Sequence, residues 1–106
     1  ALTTDTSALT AAGNDFSFEE IFSRQVEALG RPGDLLFVHT TSGNSPNCLR
    51  AVDVANRLGL TTVALTARDG GRIKATAMLT IIVPTSRTDR AQELHLAIQH
   101  AICDAV

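Results

Sequence analysis

The chain has no tryptophan and no tyrosine, and its aromatic side chains other than histidine are four phenylalanines. Stacking platforms for nucleobases are therefore lacking. A net charge of −2 supplies no basic field that would draw in a phosphate backbone or an anionic membrane. Neither nucleic acid nor membrane is expected as a partner. No apolar run approaches the about 18 residues of a spanning helix. The amino-terminal stretch is rich in Thr, Ser and Asp and carries no Lys or Arg, so no signal peptide is expected. No Met stands at position 1, and the start resembles a strand end, which leads us to expect a piece of a longer chain. Cysteine is scarce too. Cys48 and Cys103 both fall in helical patterns without metal-type spacing, and are expected to be reduced core residues of a cytoplasmic protein.

What is present suffices for one small domain. The 106 residues are 44% hydrophobic and 19% charged, enough for a single core and too few for two. Residues 1–4 read as the tail of a strand, and 5–12 as a loop with one helical turn, ending in a turn at Gly13-Asn14-Asp15. Residues 16–29 carry a helix signature. Ser17 and Glu20 have capping-box spacing, Phe16 and Ile21 occupy the staple positions, and Gly30 is the stop. After a turn at 31–34, residues 35–39 form an apolar strand, 46–58 a helix with Cys48, Leu49, Val52 and Ala55 inward, and 61–66 a second strand. Asp69-Gly70-Gly71 leads to a short helical stretch at 72–76. Residues 78–83 make a third strand, 85–89 a polar loop and 90–106 a long helix. Alternation of strand and helix at this spacing implies right-handed crossovers and a parallel sheet flanked by helices.

The stretch from Leu35 to Asn47 organises the rest. A strand runs into Thr40-Thr41-Ser42-Gly43, and Ser45-Pro46 opens a helix. N–H groups in a helix's first turn have no intrahelical partner, and the helix dipole is positive there. Such a turn is suited to holding an anion, most often phosphate. Thr40, Thr41, Ser42 and Ser45 would add hydroxyl donors. Ser45-Pro46 also fits an ordinary N-cap with proline at the first helical position, and the local pattern leaves both readings open. Position brings the anion reading level with the cap, because ligands of open α/β sheets bind beyond the carboxyl ends of the strands.

The last helix carries Gln92, His95, Gln99 and His100 among apolar residues. Leu94, Ile98, Ala101, Ile102 and Ala105 read as its core face. Gln92 and His100 project within about 80° of one another, separated by about 12 Å of rise, and bound either a pocket or an exposed flank. Histidine is the side chain that moves protons near neutral pH and often binds metals. His39, at a strand end, is ambiguous on these grounds, and His95 is read as structural or at a subunit contact.

Taken together, Gly13-Asn14-Asp15, Thr41-Ser42-Gly43-Asn44-Ser45-Pro46-Asn47, Leu65-Thr66 with Asp69-Gly70-Gly71, and Gln92-Glu93-x-His95 with His100 resemble the sugar isomerase (SIS) family over essentially all 106 residues. The likeness is to its carboxyl-terminal part, and within it to the branch that isomerises sedoheptulose 7-phosphate to D-glycero-D-manno-heptose 7-phosphate. It implies a flavodoxin-like or Rossmann-like fold in which residues 1–106 are one partial domain. The family's amino-terminal helices, first strand, and a further His and Glu have no counterpart here. By resemblance, Thr40, Thr41, Ser42 and Ser45 hold the phosphate, Asn14 and Asp15 contact the sugar, and Gln92 contacts substrate. Gln92 and His100 belong to a zinc site, and His100 serves as acid, base or ligand. The family commonly has Ser where Thr40 stands. A homotetramer is implied. So short of its ligands and partner residues, the chain alone is expected to be inactive. SIS-fold relatives that associate with a replication initiator, or that only sense a sugar phosphate, are the alternative. The former tend to carry Arg in place of Ser42 and to lack a histidine at His100.

Overall fold

The computed structural model describes residues 1–106. Three strands, β1 (Leu35–His39), β2 (Thr61–Ala67) and β3 (Leu79–Val83), form a parallel sheet in the order β1-β2-β3. Leu35 pairs with Thr61 and His39 with Leu65, while Val63 pairs with Leu79 and Ala67 with Val83. The central strand is buried from Thr62 to Ala67, as a strand covered on both faces should be. The helices are α1 (Thr6–Asp15), α2 (Ser23–Leu29), α3 (Pro46–Arg57) and α4 (Thr88–Ala105), with 3-10 turns at Phe18–Glu20 and Arg72–Ala75.

Side chains alternate along β2, and this alternation divides the core. Ala64 packs with Val38, Leu49, Val52 and Ile73 under α3. Ala67 packs with Val83 and Ala91 under α4. The two helices therefore cover opposite faces of the sheet. A third cluster, Val26, Ala51, Val54, Ala55 and Leu60, joins α2 to α3. Gly59, with φ +78°, ends α3 in the left-handed conformation that glycine adopts without strain. The expected inward set on α3 holds for Leu49, Val52 and Ala55, with Cys48 half-buried beside them.

The amino-terminal third departs from its sequence pattern. Residues 1–4 are a turn, not a strand tail; the Thr4 N–H and hydroxyl both donate to the Ala1 carbonyl. The Asp5 side chain accepts from the Ala8 N–H at 2.9 Å, and this cap starts a ten-residue helix that runs through Gly13, Asn14 and Asp15. Residues 16–29 are not one helix. Ser17 makes no capping bond, and Glu20 instead accepts from the Ser23 hydroxyl at 2.6 Å and pairs with Arg50. Phe16 is exposed under the Arg24 guanidinium, 4.3 Å from its centroid, rather than stapled to Ile21. A partner on α3, distant in sequence, took the carboxylate that a capping box would have used.

At the other end, α4 begins two residues before the expected Arg90, and its inward face differs from the apolar pattern. Ala91 and His95 are buried and Ile98 packs against their cluster, whereas Leu94, Ala101, Ile102 and Ala105 are exposed. Cys103 is exposed too, so of the two free cysteines only Cys48 touches the core. No helix is long and apolar enough to cross a membrane.

The loop after β1 meets the turn after β2 backbone to backbone. A Cβ on Gly43 would overlap the Gly70 carbonyl, and one on Gly71 would overlap the Ser42 carbonyl. Gly43 and Gly71 also have φ of +66° and +58°. Gly33 has φ +91° but open space around it. Gly33→Ala should therefore cost only left-handed strain, about 1–2 kcal/mol. Gly43→Ala adds an overlap that backbone alone can relieve, for a total on the order of 3 kcal/mol or more. Urea unfolding midpoints of the two variants check this ordering.

Candidate functional site

Beyond the carboxyl end of β1 lies a cavity of about 550 Å³ lined by His39, Thr40, Thr41, Ser45, Gln92, His95, Leu96 and Gln99. One wall is the hydroxyl-rich loop between β1 and α3. The other is α4, whose contributors fall at helical positions i, i+3, i+4 and i+7 and so share one face. Sheet geometry fixes the first wall. The Thr40 N–H donates to the Leu65 carbonyl at 3.0 Å and the Ala67 N–H to the Thr41 carbonyl at 3.2 Å, extending the ladder past the last residue of β1.

Within the loop, Asn44 is the fastener. Its Oδ1 accepts from the Arg72 N–H at 3.0 Å and its Nδ2 donates to the Ser42 carbonyl at 3.0 Å. The Ile73 N–H donates to the Gly43 carbonyl. Ser42 Oγ accepts from the Asn44 N–H at 3.2 Å inside the loop, and Ser42 does not line the cavity.

Two of the remaining hydroxyls stand out. Ser45 occupies the N-cap position of α3 but makes no side-chain capping bond. The simple capping reading of Ser45-Pro46 is therefore not what the side chain does. Thr40 is buried and its Oγ1 has no hydrogen-bond partner. A buried hydroxyl left unsatisfied costs about 1–3 kcal/mol. The Thr40 Oγ1 itself is enclosed, so a ligand oxygen meets it only once the side chain turns toward the cavity, whereas the Ser45 hydroxyl already stands at the positive end of the α3 dipole.

Opposite the loop stand two histidines. His95 is 4% exposed, with Nε2 3.0 Å from the Thr66 carbonyl oxygen. The His39 ring lies 6.0 Å from the His95 ring, centroid to centroid, and 5.2 Å from Phe37. Burial, and then the neighbouring His95 charge, push the His39 pKa below its ordinary value.

Of the residues singled out in the sequence, Thr40, Thr41, Ser45 and Gln92 come together in this cavity. Asn14 and Asp15 lie exposed at the end of α1, bonded to each other at 2.8 Å, and do not border it. His100 is exposed on α4 and does not border it either. His39, His95 and Gln99 line it without having been assigned a site role. The available signal was the helical spacing of Gln92, His95 and Gln99, which places all three on one face. No three His, Cys, Asp or Glu side chains gather in a metal-binding group. Zinc usually takes four ligands, so the donors of these residues alone do not fit a zinc ion.

The family model described as SIS domain matches residues 1–67. Over its whole length the chain is 58% identical to the phosphoheptose isomerase of Paramagnetospirillum magneticum and 53% identical to that of Akkermansia muciniphila, covering 55% and 56% of those proteins. Among solved structures, it superposes on a phosphoheptose isomerase from Neisseria gonorrhoeae with a TM-score of 0.97 at 52% identity, over 99% of this chain and 59% of that one. A phosphoheptose isomerase from Francisella tularensis gives 0.96 at 41% identity, over 98% of this chain and 56% of that one. The chain thus spans about half the length of the curated relatives it matches.

The histidine pair has a consequence for stability. Unfolded, His39 takes up its proton near the ordinary value of 6.5; folded, it does so only at lower pH. Between the two, the unfolded state binds more protons, so stability falls as pH drops from above 6.5 through that window. Urea midpoints measured across this range should fall with pH, and His39→Gln should flatten the slope.

Proposed function

The chain belongs to the SIS domain family, and from that membership and its cavity we propose that it forms the phosphate-holding half of a sugar-phosphate isomerase site. The proposed reaction is the interconversion of sedoheptulose 7-phosphate and D-glycero-D-manno-heptose 7-phosphate, in keeping with the name its relatives carry. One observation carries the binding part: the Ser45 hydroxyl, which lines the cavity at the start of α3 and makes no capping bond, with Thr40 and Thr41 on the same wall.

The chemistry divides accordingly. A phosphate monoester at the loop would accept from Thr40, Thr41 and Ser45 and lie at the positive end of α3. Gln92, on the facing helix, supplies an amide for the sugar's oxygens. Moving a carbonyl between adjacent carbons then requires removal of the proton beside it, an enediol, and return of a proton to the other carbon. His100 is the proposed acid–base group. Because it stands outside the cavity, its role rests on the resemblance, as do the sugar contacts of Asn14 and Asp15 and the phosphate contact of Ser42. Zinc would supply charge stabilisation of the enediol oxygens. By resemblance alone, Gln92 and His100 would be two of its donors, with the rest outside these 106 residues; a His100 nitrogen bound to zinc would not also serve as the base. A homotetramer is proposed on the same footing, supported by exposed Leu94 and Leu96 on α4. The two unpaired cysteines suit a reducing cytoplasm.

Calorimetry with sedoheptulose 7-phosphate tests the binding part. Thr40→Val and Ser45→Ala should each weaken binding by about 1.5–3 kcal/mol, one hydrogen bond to a charged group. Thr40→Val should leave folding stability unchanged or raised, since the lost hydroxyl has no partner to leave behind. Equal affinity in both variants would overturn the assignment. In a protein of the relatives' length, His100→Ala should abolish turnover and retain binding, and unchanged turnover would remove His100 from the chemistry.

A further inference from the structure

The buried histidine of α4 has one ring nitrogen engaged and one free. His95 Nε2 lies 3.0 Å from the Thr66 carbonyl oxygen. That oxygen can only accept, so Nε2 carries the hydrogen, and in the neutral ring the lone pair is on Nδ1. Nothing in the chain donates to Nδ1, as the Thr66 bond is the only one His95 makes. The buried side-chain polar atoms without partners are the hydroxyls of Thr40, Thr66 and Thr80, so Nδ1 is not sealed off in the interior. His95 is part of the cavity wall, one helical turn from both Gln92 and Gln99.

The cavity therefore pairs a donor-rich loop with a fixed acceptor across from it. From this we infer that His95 Nδ1 accepts a hydrogen bond from a hydroxyl of the sugar chain, which makes His95 a specificity-determining residue for polyhydroxy phosphates over phosphate alone. The inference rests on the sugar-phosphate reading of the cavity and adds a contact on its far wall. The phosphate monoester dianion of a sugar phosphate has no hydrogen to give Nδ1, whereas each carbinol of its chain does. Inorganic phosphate keeps one P–O–H at about pH 8, but held at the loop it has no chain to span to the far wall. The Thr66 carbonyl sets the tautomer, much as a partner on the far nitrogen of a metal-bound histidine does. Because that carbonyl belongs to β2, the acceptor is held by the sheet rather than by the rotamer of an exposed side chain.

The test compares binding of inorganic phosphate and of sedoheptulose 7-phosphate by calorimetry at about pH 8, above the ordinary histidine range. His95→Gln can still donate to the Thr66 carbonyl but loses the acceptor at the Nδ1 position. It should lower sugar-phosphate affinity by roughly three- to ten-fold, the worth of one neutral hydrogen bond, and leave inorganic phosphate binding unchanged. An equal loss for both ligands would mark His95 as merely structural and overturn the inference, while leaving the phosphate site standing. Failure of the unsubstituted chain to bind either ligand would overturn the site reading and this contact with it. Ring nitrogen NMR of the unsubstituted chain needs no variant to fold. The Nδ1 resonance of His95 should be that of an unprotonated nitrogen, should move on addition of sedoheptulose 7-phosphate, and should stay in place with inorganic phosphate. A protonated Nδ1 in the neutral ring, or no response to the sugar phosphate, would also overturn it.

Discussion

Everything at the candidate site depends on how closely two backbones approach. The loop after β1 and the turn after β2 touch through Gly43, Gly70 and Gly71, with no side chain between them. Hydrogen bonds from the Arg72 and Ile73 N–H groups to Asn44 and Gly43 then lock the contact. A hydroxyl-rich loop free in solvent would sample many conformations, and its polar groups would pair with one another, as the Asn44 N–H does with the Ser42 Oγ. Pinned to the neighbouring turn, the same loop leaves Thr40 and Ser45 unsatisfied. Polar groups held apart from internal partners in advance are what let a site bind without first paying to reorganise.

The second wall is tied to the same sheet by different means. Helix α4 packs Ala91 against Ala67 and Val83, and His95 reaches the Thr66 carbonyl. Both cavity walls are thus referenced to the carboxyl end of β2, one through backbone ladders and the other through a side chain. Ligand contacts built on adjacent residues of one central strand keep their spacing when peripheral elements move.

Much of this was legible in the chain's own pattern, and the failures have local causes. Strand Leu35–His39 and the Pro46 helix were readable because an apolar run, a proline and a terminal glycine each impose one backbone choice. The parallel sheet followed from their alternation. The capping box at Ser17 and Glu20 failed because Arg50, thirty residues away, competes for the same carboxylate. Spacing along the chain carries no information about such a competitor. The α1 helix was missed since Gly13-Asn14-Asp15 is a strong turn signal, which the Asp5 cap outweighs. On α4, hydrophobicity pointed to Leu94 and Ile102 as the core face, yet the sheet selected the small Ala91 and the polar His95. A helix lying close to a sheet needs small residues at the contact, and a carbonyl at a strand end rewards a donor. Thr40, Thr41, Ser45 and Gln92, which line the cavity, were singled out from residue type and order. His95 was noticed but given no site role, because its partner is a main-chain oxygen that no side-chain motif encodes.

The three-stranded sheet has a practical corollary. Its two outer strands each keep one side of their ladder unpaired, and each begins with an exposed leucine, Leu35 on β1 and Leu79 on β3. Neither strand contains proline, lysine or any other charged residue that would repel a second strand. Concentration therefore matters for this chain in a way that its favourable mean composition conceals. Crowded together, copies of these 106 residues would meet edge to edge through backbone N–H and C=O groups, and dilution keeps them apart.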